Sequence, residues 1–214
     1  MLGDNKGDEG DNVKKNDNRE FVEITSSLPR RFRDNCNIAR EETCPQDHLI
    51  KILESRGYST EVKSSMLELP SSVTEQRTKA YDNDAITLVV SRNIDKLSEK
   101  YSAGKCVNPC NKFGESLLHM ACRRGFTDVV AFFIKDCEES VRVRDDYGRT
   151  PLHDCFWTVE PQFDLIRLLV GLDPSLLLYK DKRNHCPLEY VREQHWGSIK
   201  KFLSDNAEVL FPIL

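Results

Sequence analysis

The stretch Phe113-Gly114-Glu115-Ser116-Leu117-Leu118-His119 returns 34 residues later as Tyr147-Gly148-Arg149-Thr150-Pro151-Leu152-His153. A looser copy, Arg183-Asn184-His185-Cys186-Pro187-Leu188-Glu189, follows after a further 36. What comes after each copy repeats as well. Asp128-Val129-Val130-Ala131-Phe132-Phe133-Ile134 matches Asp164-Leu165-Ile166-Arg167-Leu168-Leu169-Val170, and then Ser198-Ile199-Lys200-Lys201-Phe202-Leu203. The two residues that lengthen the second period fall near Val159-Glu160-Pro161, between the halves of the unit, where an insertion into a loop costs little. Each half reads as a short helix. Thr150 is a good N-cap, and Pro151 suits the first helical position, where a missing N–H is no loss. Gly114 and Gly148 permit a tight turn ahead of that helix, and Gly125 punctuates the step to the next. Val129, Val130, Phe132 and Phe133 form an apolar stripe too greasy to stand alone. One helix pair cannot bury such a face, but stacked neighbours can.

The period and the segment from Phe113 through Thr150-Pro151-Leu152-His153 resemble the ankyrin repeat. Upstream, Val89 to Asn93 and Ile94 to Tyr101 look like the helices of a terminal unit, and Cys106-Val107-Asn108 resembles the lead into the next turn. The resemblance implies an all-α solenoid of about four helix-turn-helix units. These fall at about 81–110, 111–144, 145–180 and 181–214, the middle two full and the outer two capping or degenerate. It also implies a concave face of turn tips and first helices that binds other proteins. The positions on that face free to bind are Lys112, Phe113, Glu115, Arg123 and Arg124 in the first full unit. In the next they are Asp146, Tyr147, Arg149, Trp157 and Thr158, and in the last Lys182, Arg183 and His185, with Glu193 and Gln194 beside them. Arg123, Arg124, Arg149, Lys182 and Arg183 make this face basic in a chain of net charge −4. Aromatics and arginines are the side chains that most often dominate interfaces. Trp157 has a second reading, as a residue packed under the Val159–Pro161 loop.

Composition divides the chain. Both tryptophans and eight of the ten phenylalanines lie beyond residue 112, so the folded mass is expected there. Residues 1–45 read as a disordered tail, too polar to offset the entropy of ordering. Residues 46–80 read as a short helix, roughly Asp47 to Arg56, followed by a polar linker with a possible capping box from Ser72 to Glu75. The apolar end, Phe211-Pro212-Ile213-Leu214, is expected to fold back over the last helix pair. A near-neutral charge gives no reason to expect nucleic acid or an anionic membrane as partner, and no apolar run is long enough to span a bilayer. The first residues lack the apolar core of a secretory signal, so a cytoplasmic or nuclear setting is expected. The eight scattered cysteines then read as small buried residues rather than as disulfides.

Candidate chemistry is sparse. His119 and His153 lie near Cys122 and Cys155, but the resemblance makes these histidines start a helix and bond between neighbouring units. Glu189 replaces the histidine in the third copy, where that ladder would end. Cys106 and Cys110 have a spacing that zinc could use, yet no second close pair completes a four-ligand set. No phosphate loop, nucleophile elbow or zinc helix is present, so no enzyme activity, cofactor or metal is expected. The basic run Arg30-Arg31-Phe32-Arg33 reads as a solvated loop more readily than as a docking or import element. The leading expectation is an adaptor that captures an acidic or mixed-charge segment of another protein. The alternative is a regulatory or targeting subunit whose N-terminal segment carries the function and whose repeats serve as a dock. Ser64, Ser65, Ser71, Ser72 and Thr74 would then be its phosphorylation points.

Overall fold

A computed structural model describes residues 43–213, and the tail up to residue 42, with its basic run, lies outside them. Four units stack along the chain. The first pairs α4 (Asn83–Val90) with α5 (Ile94–Ser102), and the second α6 (Leu117–Arg124) with α7 (Thr127–Lys135). The third pairs α8 (Pro151–Cys155) with α9 (Phe163–Leu172), and the lengthened loop falls between them. In the fourth, α10 (Trp196–Asp205) and α11 (Ala207–Leu210) are helical, but the first helix expected there is reduced to a 3-10 turn, Pro187–Tyr190. Val191, in extended backbone (ψ 128°), stops it after one turn.

Side-chain caps start both helices of the first unit. Asp82 accepts from Ala85 N at 2.7 Å at the head of α4, and Asn93 accepts from Lys96 N at 3.0 Å at the head of α5. α7 and α9 lack side-chain caps and depend on packing. Val129, Val130, Phe132 and Phe133 of α7, and Leu165, Ile166, Leu169 and Val170 of α9, are buried. Each such side chain contributes about 1.5–3 kcal/mol of burial.

Between units the chain makes a finger-like turn, built the same way three times. A side-chain oxygen at Asn111, Asp145 or Asp181 accepts two amides across its own turn: Phe113 and Glu115, Tyr147 and Arg149, Arg183 and His185. Gly114 and Gly148 sit at φ +77° and +79°, and Asn184 takes the same left-handed place at φ +62°. Asparagine is the side chain that tolerates it best after glycine. Adjacent fingers join through Asp146 N to Phe113 O and Lys182 N to Tyr147 O, each 2.9 Å.

Residues 45–80 depart from the expected linker. The helix forms as α1 (Pro45–Ser55), and its buried Leu49 and Leu53 face α10 and the 187–190 turn, at the far end of the stack. His48 Nε2 lies 2.8 Å from Ser204 Oγ. Arg56 donates to the Phe211 carbonyl at 3.0 Å, and Tyr58 meets the fully buried Phe211 ring edge-on at 6.3 Å. The apolar C-terminal stretch therefore folds in at Phe211, under the N-terminal segment, while Ile213 stays exposed.

From there the chain runs back along the fingers as a strap. β1 (Lys63–Ser64) pairs in parallel with β2 (Tyr179–Lys180), α2 (Ser65–Glu68) follows, and Ser71 bridges to Arg144. α3 (Glu75–Lys79) is capped by Thr74, which accepts from Arg77 N at 3.1 Å, not by the Ser72–Glu75 box. Ser72 is instead buried two residues earlier, its amide on the Arg144 carbonyl at 2.9 Å. A composition without apolar periodicity does form ordered structure here, because its partners are the unpaired backbone edges of the fingers.

Candidate functional site

The finger tips and first helices of the second and third units place aromatic and cationic side chains in contact. Phe113 and Tyr147 occupy equivalent tips and are half exposed, at 50% and 51%. Lys112 lies 4.9 Å over the Phe113 ring. From Tyr147 a ladder of alternating cations and rings runs inward. Arg183 lies 5.9 Å and Arg149 5.4 Å from the Tyr147 ring. Arg149 is also 5.0 Å, and Arg123 5.8 Å, from the ring of Trp157. Such contacts orient guanidinium groups while leaving ring surface available. Trp157 is half-buried and sits in this ladder, its ring edge-on to Tyr190 at 5.4 Å. Tyr190 also meets His185, which is half-buried and passes its carbonyl to His153.

Of the five cations expected to make this face basic, two are occupied. Arg123 places nitrogens 3.3 Å from both oxygens of the fully buried Asp154 and pairs with Glu115 as well. Burial alone would lower its pKa, and the two carboxylates outweigh that and raise it. Arg149 holds Asp145 through contacts of 2.6 and 2.8 Å. Its pKa is likewise raised, Asp154 and Asp145 outweighing burial. Arg123–Asp154 ties two units together and Arg149–Asp145 braces one finger, and neither cation can also serve a partner's carboxylate without leaving a buried charge unpaired. Lys112, Arg124, Lys182 and Arg183 are exposed and make no ion pair among the described residues. Asp146 is half-buried and gives its amide to the neighbouring finger. Glu193 and Gln194 lie in an exposed 3-10 turn, with Gln194 3.0 Å from His195.

The long loop of the third unit adds a cleft of about 440 Å³ between Arg123, Arg124, Phe126, Val159 and Glu160. Thr158 fixes that loop by donating to Cys155 O and Glu160 O at 3.1 and 2.7 Å. His195 Nε2, from the fourth unit, lies 3.0 Å from the Val159 carbonyl.

Both repeat histidines are spent on structure. His119 Nδ1 takes the Ser116 amide at 3.4 Å, and its Nε2 reaches the Arg149 carbonyl in the next unit at 3.2 Å. His153 does the same with Thr150 N at 3.1 Å and the His185 carbonyl at 3.2 Å. An accepting Nδ1 leaves the proton on Nε2, so the neutral ring bonds at both ends. Burial pushes the His153 pKa down to about 4. Glu189 closes the third turn by accepting from Cys186 N at 2.6 Å. Cys122 and Cys155 are buried, and the Cys155 thiol is pushed well up by burial and by Cys122. Cys110 is buried with its thiol 3.2 Å from the Ser72 carbonyl, while Cys106 is half-buried.

Sequence reasoning missed Asp154, Asp145 and Tyr190. Asp145 and Asp181 were findable, since a side-chain acceptor opens all three copies of the finger. Residues 81–185 match the family model for ankyrin repeats, in three copies. No curated protein matches the chain. Among the described residues, no helix is long and apolar enough to cross a membrane, and no cluster of three metal-type side chains occurs.

Proposed function

The chain is an ankyrin-repeat protein over residues 81–185, and from that premise we propose that it is a non-catalytic adaptor. Its partner-binding face runs from the tips of Phe113 and Tyr147 to Arg124. Repeats of this family are protein-interaction modules in general, and the observation that carries the finer reading is the ladder from Arg183 through Tyr147 and Arg149 to Trp157. It presents aromatic surface already fixed in place, so little side-chain entropy is lost on binding. Arg183 at its end and Lys112, Arg124 and Lys182 beside it are exposed cations without an ion pair among the described residues, and they suit an acidic or mixed-charge segment of another protein. Trp157 and Arg123 act by positioning the ladder, and Tyr147, Phe113 and Arg124 by touching the partner. A cytoplasmic or nuclear setting belongs to the same reading.

The test starts with partners recovered on the immobilised full chain and identified by mass spectrometry. Tyr147→Ala and Arg124→Ala are each expected to weaken binding of a recovered partner by about 1–2 kcal/mol, the range of interface hot spots. Circular dichroism should not change. Unaltered affinity in both variants for every partner would overturn the reading. Truncating at residue 81 does not isolate the alternative, a function carried by the N-terminal segment, because it removes the strap from the finger edges and Tyr58 from the Phe211 ring.

A further inference from the structure

The strap carries a repeat of its own, and that repeat is in register with the stack. Lys63-Ser64-Ser65-Met66 returns seven residues later as Pro70-Ser71-Ser72-Val73. Ser64 pairs with Lys180 and Ser71 with Arg144, two residues that occupy equivalent places in successive units, 36 apart. The second serine of each pair is buried at 0% and 1%. The apolar residue that follows lies against the finger glycine of successive units: Met66 sulfur 3.1 Å from where a Cβ on Gly148 would be, and Val73 at 3.2 Å from that of Gly114. A third step keeps the same spacing, since the Pro70 carbonyl accepts from Arg144 N at 3.0 Å and the Arg77 carbonyl from Cys110 N at 3.3 Å. Seven strap residues thus answer one unit of the stack, in antiparallel order.

Two features mark this contact as separable from the core. Leu69 is the one apolar side chain buried between residues 57 and 80. The buried side-chain polar atoms without a partner among the described residues, the Gln46 amide and Ser72 Oγ, both belong to residues 45–80. At Ser65 the hydroxyl sits 2.5 Å from the Gly148 carbonyl and 3.0 Å from the Lys180 carbonyl, a place with room for a donor and none for an anion.

We propose that the row of finger edges at Lys180, Arg144 and Cys110 is a second docking track, that residues 63–79 are its releasable occupant, and that Ser65 and Ser72 are modification sites that control release. Both hydroxyls are covered while the strap is docked, so a kinase acts on the released form. The γ-phosphoryl group of a nucleoside triphosphate passes to Oγ, the hydroxyl proton departs, and the nucleoside diphosphate leaves. At Ser65 the resulting phosphate has only acceptor oxygens facing two carbonyls, at Ser72 it stands in a buried place that offers its oxygens no donor, and the strap cannot return. Phe113 and Tyr147 are half exposed with the strap in place, so this track and the adaptor face stand or fall separately.

The probe is a fluorescent synthetic peptide of residues 60–80, titrated by anisotropy against the full chain. Wild type is expected to bind it at least tenfold more weakly than Ser65→Asp/Ser72→Asp, because the tethered strap competes at high effective concentration. Ser64→Asp/Ser71→Asp, which changes the half-buried neighbours, is expected to behave as wild type. A peptide with one glycine inserted between Leu69 and Pro70, and one phosphorylated at Ser65 and Ser72, should each bind the double variant at least tenfold more weakly than the parent peptide. A folded Ser65→Asp/Ser72→Asp chain that ignores the peptide, or one that binds all three peptides alike, overturns the proposal. If that chain loses its helical circular dichroism, Ser72→Asp alone decides, since it removes no side-chain hydrogen bond: folded with peptide bound supports release, while unfolded or unbound refutes it.

Discussion

The stack and the strap solve the same problem in opposite ways. In the stack, units meet through fully buried side chains such as Phe133, Leu152 and Leu169, with the His119 and His153 bonds fixing the register. The strap meets the same units mainly through backbone amides and carbonyls, joined by side-chain bonds from Ser65, Glu68 and Arg77, and buries only Ser65, Leu69 and Ser72 between residues 57 and 80. Burial of apolar surface makes a contact strong. A net contribution of about 1 kcal/mol per hydrogen bond makes it specific and reversible.

The largest effect expected is on the stack. Phe133→Ala should destabilise the chain by about 3–5 kcal/mol, whereas Leu69→Ala should cost nearer 2 kcal/mol, as read from urea melts followed by circular dichroism. Comparable losses would mean that the strap is part of the core.

Acid should attack the stack through His153. Burial holds the folded imidazole near 4 against an ordinary 6.5, so between these values the unfolded chain binds the extra proton. Stability contributed by this group is present above pH 6.5 and is lost as pH falls towards 4, by about 3 kcal/mol in total. The urea midpoint of His153→Gln should vary less over that window than that of wild type.

A smaller effect separates the two layers directly. Gly148 and Gly104 both have positive φ, at +79° and +71°, but a Cβ on Gly148 would stand 2.7 Å from Ser65 Oγ, and one on Gly104 meets nothing within 4 Å. Gly104→Ala should cost about 1 kcal/mol for backbone conformation alone, and Gly148→Ala about 2 kcal/mol because the strap must move as well. Equal midpoints for the two variants would show that the strap does not press on that finger. At the low end, Lys79→Ala removes an exposed i,i+4 partner of Glu75 and should shift stability by less than about 0.5 kcal/mol.

Much of the stack was legible in the sequence because its residues are chosen by local chemistry that recurs with each unit. Gly148 takes a left-handed turn, Thr150 and His153 close a helix start, and Val129 to Phe133 form a stripe. The ladder was half legible: Tyr147, Arg149 and Trp157 stood out as residue types, but the pairing of Arg123 with Asp154 crosses units and follows no local rule. The strap was not legible, since a segment that binds backbone edges needs no apolar period. The Ser-Ser spacing of seven acquires meaning only beside finger edges spaced 34 and 36 apart in the chain.

The most direct measurement of the layered account is native-state amide hydrogen exchange under increasing urea. The amides of Arg144 and Cys110, which bond to strap carbonyls, are predicted to open at low urea in a small, local transition. The Asp146 amide, which bonds finger to finger, and those within α7 and α9 are predicted to exchange only through global unfolding. Merging of all these amides on one isotherm would contradict the account, because strap and stack would then be a single cooperative unit.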